Sequence, residues 1–151
     1  MLPELIGLIV GVVFVLPTIY LARKNNIESW AWPLFLISLP VWYMLFGLLA
    51  MDSTTILNEL LFGLPYILTG LIAWRFKTPL MLVVLAIAWL SHGLYDYYHE
   101  YHNFLFVNAG VFSWYPAFCA AVDLAVGTYL LASYKQLRHP SESAPSTHTK
   151  P

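Results

Sequence analysis

The sequence predicts an all-α integral membrane protein, a bundle of five transmembrane helices with its N-terminus outside and its C-terminus inside. Three observations predict it. Of the 151 residues, 60% are hydrophobic and only 10% charged, with a mean hydropathy of +0.69; a soluble domain carries about 25% charged residues. The apolar residues gather in five stretches, approximately 5–22, 31–51, 56–74, 79–98 and 112–134. Each is close to the roughly 17–25 residues that cross a bilayer as a helix. Finally, all seven Lys and Arg residues fall on one side of this arrangement.

Segment one reads as a span and not as a cleaved signal peptide. It has no basic leader, its charges Arg23 and Lys24 follow it, and no small-residue cleavage site comes after. Its Gly7-x3-Gly11 pair has the spacing of a helix-association motif. Segment two carries Trp42 and Tyr43, and segment three opens on Asn58 and Glu59. Pro17, Pro40 and Pro65 lie inside spans and are expected to kink them. Segment five has Ser113 as its N-cap and Pro116 in its first turn, where a missing N–H costs little.

Arg75 and Lys77 follow segment three; Lys135, Arg138 and Lys150 follow segment five. Glu4, Asp52, Glu59 and Glu100 occupy the opposite side, which has no Lys or Arg. The positive-inside rule then gives N-out and C-in. Tyr20, Trp30, Trp32, Trp74 and Tyr134 mark one interface, and Tyr97, Tyr98, Tyr101, Trp114 and Tyr115 the other. Residues 1–134 form one transmembrane domain, and the Pro/Ser-rich tail 135–151 is expected to be disordered and cytoplasmic. No internal repeat is visible, and an odd number of spans argues against a duplicated transporter.

The composition excludes some classes. The few basic residues form no stripe, so nucleic acid is not a partner. Lone Cys119 rules out an internal disulfide and a cysteine-based zinc knuckle. The histidines are too few for a membrane desaturase, and no Gly-x-Ser-x-Gly context suggests a serine nucleophile.

Chemistry concentrates at the end of segment four, from Trp89 to His102. His92, Asp96 and His99 share one helical face, with Trp89 and Tyr95 beside it and Leu90, Leu94 and Tyr97 pointing away. At 1.5 Å per residue, His92 lies roughly 9 Å below the outer border and Asp123 of segment five about 12 Å below it. The two are therefore expected to meet where the segments pack. Cys119, Ala120 and Gly127 on the Asp123 face let a neighbouring backbone come close. Asn58, Glu59, Trp42 and Tyr43 lie at depths from which they can reach the same pocket.

Three readings of this constellation compete. In one, His92 and Asp123 are a structural hydrogen-bonded pair. In the second, His92, Asp96, His99 and Asp123 bind one divalent metal, zinc or iron, with an open position; Glu100 or Tyr95 then acts in acid–base chemistry or supports the ligands. In the third, the same residues form a metal-free acid–base pair or a proton or ion relay.

Trp89-x2-His92-x3-Asp96-x2-His99, followed by Cys119-Ala120-x2-Asp123, resembles the signature of a group of small uncharacterised bacterial polytopic membrane proteins. The resemblance covers segments four and five, and Glu100 stands where that group tends to a second His. It supports pairing of the two helices and carries no activity. The expectation is thus a multi-pass protein of a bacterial inner membrane, with membrane lipids and an apolar small molecule as partners and a homo-oligomer left open. Its expected function is a metal-dependent or acid–base enzyme on a lipid-like or isoprenoid substrate, with His92, Asp96, Asp123 and Glu100 as catalytic groups. The alternative is a non-enzymatic carrier, an ion or proton relay, or a small structural subunit.

Overall fold

The computed structural model describes residues 2–49, 51–102 and 114–138, with backbone only for 98–102 and 136–138. Ser113, expected as an N-cap, and the tail beyond Arg138 lie outside the described residues. Five α-helices, and no strand among the described residues, make up the fold: α1 (Leu2–Lys24), α2 (Glu28–Leu49), α3 (Ser53–Arg75), α4 (Pro79–His102) and α5 (Tyr115–Arg138). They are 22 to 24 residues long, or about 33–36 Å, against a hydrocarbon layer about 30 Å thick. All five are long and apolar enough to cross a membrane. Residues 135–138, assigned to the tail by composition, continue α5; their backbone groups still find partners one turn back.

The turns are short and chemically specified. At the end of α1 the Ile27 N–H reaches Ala22 O at 3.0 Å and the Asn26 N–H reaches Arg23 O at 3.1 Å. Asn26 takes the left-handed conformation (φ 55°) that this helix ending requires. The same pattern ends α2, with Met51 at φ 54°. Asp52 then caps α3, accepting from Thr54 N at 3.0 Å, Thr55 N at 3.2 Å and the Thr55 hydroxyl at 2.7 Å. Thr78 caps α4, accepting from Met81 N at 3.2 Å, and Pro79 follows at the first helical position.

Helices approach closely wherever a glycine removes a side chain. Gly7 and Gly11 face α5: a Cβ on Gly7 would strike the Trp114 carbonyl oxygen, and one on Gly11 would lie 2.7 Å from Phe118 O and 2.8 Å from the Ala121 Cβ. The Gly-x3-Gly pair is therefore a working α1–α5 contact. On α3, Gly63 receives the ring of Pro40, and a Cβ on Gly70 would lie 2.8 Å from Pro33 O. Pro33 and Pro40 thus face α3, and each helix continues through its proline. Gly127 of α5 accepts Leu90 of α4, whose Cγ would lie 2.6 Å from an added Cβ. Leu90 therefore packs into the α4–α5 seam instead of pointing away, because the empty space at Gly127 draws it there.

The result is two groups, α1–α5–α4 and α2–α3, joined through large side chains. Trp32 of α2 stands edge-on to Trp89 (6.4 Å) and Tyr129 (6.3 Å), and Tyr43 stands edge-on to Tyr115 (5.9 Å). Val15, Leu36, Trp89 and Val126 are wholly buried between them. The outer faces, such as Leu5, Ile9, Val13 and Leu16 of α1, are apolar and exposed, as a lipid-facing surface requires.

Two predictions follow from this packing. Gly7→Leu should cost about 1–3 kcal/mol by overpacking α1 against α5, whereas Leu8→Ala on the exposed face should change stability by less than about 0.5 kcal/mol; thermal unfolding in detergent measures both. The Thr55 hydroxyl, then the Thr55 and Thr54 N–H groups, hold the Asp52 carboxyl below its usual value of 3.8. A depressed carboxyl stabilises the fold above its unfolded value, and that contribution is lost as pH falls through the folded one. The wild type should therefore lose more melting temperature between pH 5 and pH 3 than Asp52→Asn does.

Candidate functional site

The buried polar groups collect in the half of the bundle nearer the α2–α3 turn. His92 and Asp96 lie one turn apart on α4, and Asp123 faces them from α5; all three are 0–1% exposed. Gly93 makes the approach possible. A Cβ there would sit 3.1 Å from the Asp123 Cβ and 3.4 Å from Ala120 O, so a larger residue would push Asp123 away from the imidazole.

The imidazole is the hub. His92 Nδ1 lies 2.7 Å from Asp123 Oδ2 and 3.4 Å from Asp96 Oδ2. Tyr43 of α2 donates its hydroxyl proton to Asp96 Oδ1 at 2.7 Å. Tyr66 of α3 sets its ring edge-on against the imidazole, 4.7 Å between centroids. Every helix except α1 therefore contributes a contact to the centre. Cys119, one turn before Asp123 on α5, is also buried.

Glu59 of α3 is buried nearby and accepts from the Tyr95 hydroxyl at 3.5 Å. Tyr95 in turn packs against His92 (5.9 Å), Tyr66 (6.4 Å) and Phe62 (6.1 Å). Phe62 is half exposed. An aromatic seam between α3 and α4 thus leads from the apolar surface to the imidazole.

Charge balance sets what the centre can do. Two carboxylates share one imidazole with no exposure to solvent. The basic residues whose side chains are described, Arg23, Lys24, Arg75, Lys77 and Lys135, stand at or just beyond the opposite ends of the helices. Neutralisation must come from an imidazolium, from a proton held on a carboxyl, or from a bound cation. Asp96 Oδ2 and Asp123 Oδ1 are both buried with no hydrogen-bond partner among the described residues, so acceptor capacity is left over.

That donor set fits a metal. One ligand atom from each of His92, Asp96 and Asp123 falls within 4.8 Å of the others. Around a tetrahedral zinc with bonds of 2.0–2.2 Å, ligand atoms lie about 3.3–3.6 Å apart. The 3.4 Å separation is already there, and the 2.7 Å one needs to open by roughly half an ångström.

His92, Asp96 and Asp123 are thus brought together as the sequence leads one to expect. The side chains of His99 and Glu100, expected as fourth ligand and catalytic acid, lie outside the described residues. Trp42 faces outward, half exposed, and does not line the centre; its neighbour Tyr43 takes the inward position. Glu59, expected to be able to reach the pocket, is buried beside it. Tyr66 escaped the sequence reading because an aromatic in an apolar span carries no signal; its spacing of seven from Glu59 puts both on one helical face.

Compared with protein-family models, with curated proteins and with solved structures, the chain gives no match.

His92→Leu should destabilise the fold by about 3–5 kcal/mol, because it strands two buried carboxyls. Adding Asp123→Leu should restore part of that loss. Unfolding of the two single variants and the double variant in detergent tests this coupling.

Proposed function

We propose that His92, Asp96 and Asp123 hold one divalent cation, zinc or iron, in the active site of a membrane enzyme that acts on a lipid-like or isoprenoid substrate. The observation that carries it is two buried carboxylates converging on one imidazole, with Asp123 Oδ1 lacking any hydrogen-bond partner and no cationic side chain near among the described residues. Three protein ligands are the number that leaves a coordination position open for chemistry.

When bound, the cation supplies Lewis acidity and lowers the pKa of a water in its open position. The chain's own groups set up the rest. Tyr43 fixes the Asp96 carboxylate by its 2.7 Å hydrogen bond, and Tyr66 holds the imidazole plane. Burial keeps bulk water out. Tyr95 and Glu59 offer a second proton-carrying pair beside the imidazole. An apolar substrate enters along the seam of Phe62, Tyr95 and Tyr66, which opens on the lipid-facing side.

A proton relay is the second reading, and the Glu59–Tyr95 contact beside His92 favours it. On either reading the protein belongs in a bacterial inner membrane with its basic end inside. The segregation of Arg23, Arg75, Lys77 and Lys135 at one end supports that orientation. The resemblance of α4 and α5 to small bacterial membrane proteins supports the location.

Metal analysis of the purified protein tests the proposal. The wild type should hold about one zinc or iron per chain, and His92→Ala and Asp123→Asn should each lower affinity by about tenfold or more. A wild-type protein that binds neither metal removes the metalloenzyme reading and leaves the relay.

A further inference from the structure

A cavity lies at the other end of the bundle from the His–Asp centre, with a volume of about 460 Å³. This is within the range of small-molecule sites. Its lining combines two cations, Arg23 and Lys77, with an apolar floor that includes Leu82, Leu85 and Trp32. Glu28 also lines it, but the Tyr129 hydroxyl donates to its carboxylate. Arg23 and Lys77 have no ion-pair partner among the described residues. Trp32 is 2% exposed, and its Nε1–H has no acceptor among the described residues. A buried donor without an acceptor costs about 1–3 kcal/mol, so a ligand oxygen in this cavity that reached the Trp32 N–H would relieve that cost.

The first turns of α2 and α4 also border the cavity, at Ser29 and Pro79. They present the positive ends of two helix dipoles. We infer that this cavity binds a phosphorylated amphiphile, its phosphate between Arg23 and Lys77 and its chain on the Leu82–Leu85–Trp32 floor. The two cations outweigh the Glu28 carboxylate, so the lining attracts an anion, and the several oxygens of a phosphate monoester suit donors arriving from different helices. The apolar floor selects a chain-bearing phosphate over the free ion. Trp32 against Trp89, one turn from His92, separates the cavity from the His–Asp centre. The inference is independent of any metal there.

Binding to the full chain in zwitterionic nanodiscs, measured by calorimetry against empty discs, tests it with three probes. Dodecyl phosphate should bind saturably, one per chain; dodecanol and inorganic phosphate should each bind at least about tenfold more weakly. The double variant Arg23→Gln/Lys77→Gln should weaken dodecyl phosphate by about tenfold or more. Both side chains are exposed, so the fold should survive. Lys24→Gln/Lys135→Gln, which removes the same charge outside the cavity, should leave binding unchanged. Absence of saturable binding, or equal loss in the two double variants, overturns the site. Inorganic phosphate binding as tightly as dodecyl phosphate overturns the amphiphile, and dodecanol doing so overturns the phosphate.

Discussion

The hydrogen bond between His92 and Asp123 ties the bundle to its chemistry. It crosses from α4 to α5 at 2.7 Å between groups that water does not reach. In such surroundings an unpaired carboxylate is costly, so the imidazole and the carboxylate hold each other in register. Much of the surrounding architecture serves that approach. Gly93 and Gly127 remove side chains from the seam, Leu90 fills the space at Gly127, and Gly7 and Gly11 bring α1 against the far side of α5. Asp96 then joins from the same face as His92, and Tyr43 steadies it from α2.

Asp96 is also the residue on which the proposed function turns. One imidazole can balance one carboxylate; a second carboxylate, fully buried and partly unpartnered, leaves negative charge that the described side chains do not offset. Proteins keep such an imbalance inside an apolar bundle where a proton or a cation is to be held. The Glu59–Tyr95 pair adds a further acid at the same level. The bundle is thus chemically polarised along its length, with acids and aromatics toward one end and Arg23, Lys77 and the cavity they line toward the other.

Much of this was legible in the sequence. The five spans follow from hydropathy, since a bilayer demands long apolar helices and little else produces them. The convergence of His92, Asp96 and Asp123 follows from helical periodicity and matched depth. Residues whose role depends on which way a helix turns were harder. Tyr43 and Trp42 are adjacent aromatics, and only packing decides that the first faces Asp96 while the second faces outward. Leu90 reads as a surface leucine until Gly127 is placed opposite. Depth puts both Asn58 and Glu59 within reach of the pocket, and only packing decides that Glu59 is the one buried, with Thr55 a turn earlier.

The most direct measurement is anomalous diffraction at the zinc edge from crystals of the protein grown with zinc. The account predicts a single strong peak at about 2.0–2.2 Å from a His92 nitrogen and from carboxylate oxygens of Asp96 and Asp123. A map with no peak there, or one in which the side chains of residues 92 and 123 turn away from each other toward lipid, would contradict it.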